Sequence, residues 1–122
     1  MPFSIEKSPD LIRVTYSGTL TEEDIQEVIK YSIGGTVIDF SDRLEDMRNL
    51  HSVSTGFAEL MEVAANLRTV QLPHVVKTAL LTNNSLQFGV ARMFQTILDH
   101  PQMKLEIFTS EQEAMKWLEQ HE

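Results

Sequence analysis

Two short alternating runs at the start of the chain set the terms for everything after them. In "FSIEK", Phe3 and Ile5 alternate with polar residues. In "LIRVTYSG", Ile12, Val14 and Tyr16 alternate with Arg13 and Thr15. A strand with this period buries one face and leaves the other wet. Ser8-Pro9-Asp10 between the runs is turn chemistry, so residues 3–18 predict an antiparallel hairpin with one apolar face.

The period then changes. Thr21 is a good N-cap, with Glu22, Glu23 and Asp24 at the positive helix end and Leu20 placed to staple onto Ile25. Ile25, Val28 and Ile29 form a buried stripe, and Gly34-Gly35 stops the helix. "TVIDFSD" (residues 36–42) reads as a strand, followed by a loop over residues 40–56. "ELMEVAANLRTV" carries Leu60, Met61, Ala64 and Leu67 at helical spacing and ends before Pro73. "HVVKTALLT" is a near-continuous apolar strand of the kind buried on both faces. "NNSLQFGVARMFQTILDH" gives a third helix with a stripe of Leu86, Val90, Met93, Phe94, Ile97 and Leu98. "MKLEIFT" is the last strand, and "SEQEAMKWLEQ" the last helix, with capping boxes available from Thr109 to Gln112 and from Ser110 to Glu113.

The predicted order is therefore β-β-α-β-α-β-α-β-α. That is an α/β domain with a single mixed sheet, an antiparallel N-terminal hairpin followed by parallel crossovers, and helices mainly on one face. At 122 residues one domain spanning 1–122 is expected.

Charge and composition exclude several functions. The net charge is −8, there is no Lys/Arg cluster, and there is no cysteine. Nucleic-acid and anionic-lipid binding both rest on basic clusters, so neither is expected. Thiolate chemistry and disulfides are excluded, in keeping with a reducing cytoplasm. No apolar run approaches the ~20 residues of a membrane span, and the N-terminus has no secretory pattern.

The candidate chemistry is sparse. "HSVSTGFAEL" places Ser52, Ser54 and Thr55 ahead of a helix. Hydroxyls there serve as an N-cap or as phosphate acceptors favoured by the helix dipole; the cap is the simpler reading. Asp39, Asp42, Glu45 and Asp46 form an acidic stretch interrupted by Arg43 and Arg48, without the glycine-punctuated spacing of a calcium loop. Asp39, Thr82 and Lys104 lie in or at the ends of successive strands, but the first strand ends without the acidic pair that a phosphoryl-accepting Asp needs. His51, His74, His100 and His121 show no metal-ligand spacing. No catalytic residue, metal or cofactor is expected. Phe57, Met61, Phe88 and Met93 are the candidate contacts for an apolar ligand or a partner protein.

The element order, the early "GTLTEED" and the closing Glu113-Ala114-x-x-Trp117-Leu118 resemble the STAS superfamily, the sulfate-transporter and anti-sigma-factor-antagonist domains. The chain is most similar to its small stand-alone bacterial branch, called SpoIIAA-like or STAS/SEC14-like. In the antagonists a strand ending in Asp precedes a loop with Asp-Ser-Ser-Gly at a helix start. Val37-Ile38-Asp39 and Val53-Ser54-Thr55-Gly56-Phe57-x-x-Leu60 stand at those places here. The resemblance implies a phosphoacceptor at Ser54 with Asp39 near it, although the family's Asp before the serine is Val53 in this chain.

It further implies a non-enzymatic regulatory domain that presents the 40–56 loop and the following helix to a partner protein. The alternative it implies is a carrier of a small apolar ligand or lipid. A weak homodimer, through Phe88 on the third helix or the half-wet sheet face, is also expected.

Overall fold

The computed structural model describes residues 3–29, 41–54, 56–69 and 71–120, apart from the side chains of Val28, Ile29, Phe57 and Val63. Its elements are β1 (Phe3–Lys7), β2 (Leu11–Thr21), α1 (Glu22–Ile29), β3 (Asp42–Ser54), α2 (Phe57–Arg68), β4 (Val76–Leu81), α3 (Ser85–Ile97), β5 (Met103–Phe108) and α4 (Glu111–Glu119). The five strands form one sheet in chain order, β1 antiparallel to β2 and every other neighbour parallel.

That order determines where the helices lie. The three crossovers step across the sheet in the same direction, so a common handedness puts α1, α2 and α3 on one face. Packing agrees. Ile25 of α1 and Val90 and Ala91 of α3 meet Ile12, Val14, Tyr16, Leu50 and Leu80, and Ala64 and Leu67 of α2 meet Phe94 and Leu98. α4 closes the opposite face, with Ala114 and Leu118 against Leu44, Ala79 and Leu81. β4 is buried on both sides for this reason.

Local chemistry fixes the helix starts. Thr21 Oγ1 accepts from Asp24 N–H at 3.2 Å while Asp24 Oδ2 accepts from Thr21 N–H at 2.9 Å, a reciprocal cap for α1. Asn84 Oδ1 accepts from Gln87 N–H at 2.9 Å at α3, and Ser110 Oγ accepts from Glu113 N–H at 3.3 Å at α4. The β2–β3 pairing shifts register between Thr15 and Ser17 and again between Gly18 and Thr19, and Gly18 has φ +69°. Only a residue without a Cβ takes that left-handed conformation without strain.

β3 differs from expectation. The loop predicted over residues 40–56 is instead a strand of 13 residues, Asp42–Ser54, third in the sheet. The predicted strand over residues 36–42 and the Gly34-Gly35 stop lie almost wholly outside the described residues. The α3 stripe is also rotated: Ala91 and Gln87 are buried, whereas Leu86 is exposed.

Candidate functional site

Side chains alternate along β3. Leu44 and Asp46 point to the α4 face, beside Ala79 and Leu81, while Arg43, Glu45 and Met47 point to the α1–α3 face, where Thr78 and Leu80 lie opposite on β4. The α1–α3 face does not pack shut. A cavity of about 120 Å³ lies between it and the helices. The sheet supplies Tyr16, Met47, Leu80 and Leu105, and the helices supply Ile25, Leu60, Leu67, Val90 and Phe94. An engineered apolar cavity of about 150 Å³ takes benzene, so this space suits one small ring or a short aliphatic segment.

Among the described residues, four polar side chains share the sheet wall: Tyr16, Arg43, Glu45 and Thr78. Arg43 is only 8% exposed, and Thr78 is buried as well. The Tyr16 hydroxyl donates to Glu45 Oε1 at 2.5 Å. Burial, followed by the Glu45 carboxylate and its hydrogen bond, pushes the Tyr16 phenol well above its ordinary value, against a smaller opposite pull from Arg43. Tyr16 therefore stays a neutral donor.

A second polar cluster lies on the α4 side. Asp46, 4% exposed, accepts from Arg13 Nη2 at 3.1 Å and from Arg48 through its backbone N–H at 3.1 Å, Nε at 3.0 Å and Nη2 at 2.8 Å. Glu111, in the first turn of α4, accepts from Arg13 at 2.9 Å and Arg48 at 3.0 Å. Burial alone would raise the Asp46 carboxyl, but the Arg48 hydrogen bonds and both guanidinium charges hold it below the usual range. The square of two cations and two anions ties α4 to β2 and β3. Its groups satisfy one another, so it reads as structure.

The residues singled out from sequence are scattered. Gly56 is the N-cap of α2 and makes no side-chain cap bond. Ser54 is the exposed last residue of β3, not the cap, because the strand runs up to the helix. Ser52 Oγ lies 2.7 Å from Thr19 Oγ1 on β2. Asp39, Thr55 and the Phe57 side chain lie outside the described residues. Met61 and Phe88 are exposed and Met93 is half-buried; none of the three lines the cavity. Among the described residues no group of three His, Asp or Glu side chains is placed to hold a metal, and no helix is long and apolar enough to cross a membrane. His100 is buried, its Nδ1 accepting from Gln102 N–H at 2.9 Å, which occupies it structurally.

The cavity residues of β3 escaped the sequence reading because Arg43 and Glu45 look like a solvated charge run. Arg-x-Glu at period two, opposite Thr78 in a strand whose other cavity-facing residues are apolar, is the signal that carried them.

No curated protein matches the chain. A crystal structure of an uncharacterised protein of the DUF3478 family from Shewanella loihica PV-4, with a SpoIIAA-like fold, is similar over 95% of this chain and 91% of its own, at 17% identity and a TM-score of 0.60. That likeness is one of fold. A family model for SpoIIAA-like proteins matches residues 11–119, nearly the whole sheet and all four helices. The chain belongs to the SpoIIAA-like family.

Proposed function

We propose that this STAS-type domain binds a small apolar molecule in the cavity between the sheet and α1–α3, without turning it over. The cavity itself carries the reading: about 120 Å³ of space with walls from three helices and four strands, where close packing is the norm. Its size falls below the roughly 300–1,000 Å³ of sites for drug-sized ligands. The occupant is therefore small, or it is one segment of a longer chain. Binding without chemistry fits the polar wall, where Tyr16 is a neutral hydroxyl already donating to Glu45. Native mass spectrometry of the purified protein, with solvent extraction of what it carries, tests this. A defined small adduct, lost in a Val90→Trp variant that fills the cavity, is expected; equal adducts on both proteins would contradict it.

A second reading, contact with a partner protein or a second copy, is favoured by one observation. Leu86 and Phe88 on α3 are 46% and 50% exposed. Large apolar side chains left outside in this way mark contact surfaces when they cluster. Sedimentation at low and high salt checks it. Self-association that strengthens with salt, as repulsion between acidic copies is screened, and that fails in Phe88→Ser supports this reading.

A further inference from the structure

We infer that the polar end of the ligand is an uncharged, hydroxyl-type group seated against Tyr16, Arg43, Glu45 and Thr78, and that the cavity disfavours carboxylates and ammonium groups alike. This rests on the cavity being a ligand site. The helix wall, with Ile25, Leu60, Val90 and Phe94, is apolar, whereas the polar groups all project from the sheet. A polar group on an otherwise apolar occupant would therefore meet the sheet, with the apolar part toward the helices.

Among the described residues, the charge on the sheet wall is balanced. Arg43 carries a permanent positive charge, and Glu45, two residues along the same strand face, supplies a negative one. An ionised ligand would bring an unmatched charge into a site where burial makes it costly. A hydroxyl adds none. It also both donates and accepts, and the wall offers both partners: the guanidinium donates, Thr78 does either, and a carboxylate accepting one bond from Tyr16 retains lone pairs for more. At about 120 Å³, below the roughly 150 Å³ of a cavity that takes benzene, the space limits the occupant to at most one small ring or short aliphatic segment bearing one such group.

The full-length protein is titrated with benzyl alcohol, benzoate and benzylamine at neutral pH, and binding is read from methyl NMR shifts of Met47, Leu80 and Leu105. The alcohol should bind about tenfold more tightly than either ion. In Glu45→Gln, which keeps the side-chain size and an acceptor for Tyr16, the preference should move toward benzoate. In Arg43→Met it should move toward benzylamine. If Arg43→Met does not fold, Glu45→Gln alone decides. Binding of all three probes with equal affinity, or a wild-type preference for either ion, overturns the charge selection and leaves the cavity as a binding site. No cavity shifts with any probe overturns both.

Discussion

Tyr16 and Glu45, 29 positions apart, are joined by a hydrogen bond of 2.5 Å that crosses from β2 to β3 on the cavity face. The contact holds a carboxylate at the wall of an apolar space and adds to burial, the larger cause, in raising the phenol above its ordinary value.

Its first consequence is at alkaline pH. The folded phenol titrates above its unfolded value, so the stability it contributes is complete below about pH 10 and is lost as pH rises toward the folded value. In a Tyr31→Phe background, where Tyr16 is the remaining tyrosine, tyrosinate absorbance should rise later than in free tyrosine and together with unfolding. Tyr16→Phe should lower stability by about 1 kcal/mol and soften this alkaline transition.

Asp46 governs the acid side. Its folded carboxyl is held low, so its contribution is present above an ordinary aspartate pKa near 4 and is lost as pH falls through the lower folded value. Asp46→Asn should cost about 2 kcal/mol at neutral pH, since a buried acceptor serves two guanidinium groups. Glu111→Gln should cost less than about 1 kcal/mol, because its side chain is only partly buried and solvent screens its ion pairs. Urea unfolding of both variants from neutral to acid pH checks the order, and the difference between wild type and Asp46→Asn should shrink as pH falls.

Gln87 is 1% exposed and clamps two elements: Nε2 donates to Leu50 O at 3.0 Å, and Oε1 accepts from Asn83 N–H at 2.8 Å. Gln87→Ala strands both backbone groups and should cost about 2 kcal/mol or more. The neighbouring Phe88→Ser, at an exposed position, should change stability by no more than roughly 0.5 kcal/mol.

Ser54 and Ser110 separate a strand end from a helix cap. Ser110→Ala removes the acceptor for Glu113 N–H and should cost about 1 kcal/mol. Ser54→Ala, at the exposed end of β3, should be nearly neutral. A loss at Ser54 equal to that at Ser110 would show that Ser54 caps α2 after all.

The parts of the fold that were legible in the sequence are those where one element explains its own pattern. The hairpin alternates cleanly at Ile12, Val14 and Tyr16. The caps at Thr21 and Ser110 declare their helices, and the near-continuous apolar run of β4 states that both its faces are covered. β3 could not be read this way. "DRLEDMRNLHSVS" is rich in charge, and its buried Leu44, Met47 and Leu50 are three residues apart. What makes it a strand lies elsewhere in the chain: β2 and β4 pair with it, Arg13 and Glu111 balance its Asp46 and Arg48, and Tyr16 satisfies Glu45. The cavity was hidden for the same reason, because its polar wall belongs to that strand. Local propensity is a weak guide where long-range partners supply the satisfaction.

Methyl NMR spectra recorded under increasing xenon pressure test the cavity most directly, because xenon enters dry apolar space without needing a polar contact. Saturable shifts should appear at Met47, Leu80 and Leu105, which line the cavity, and be absent at Leu81 and Leu118 on the α4 face. Shifts spread evenly over both faces, or none at the cavity methyls, would contradict the account.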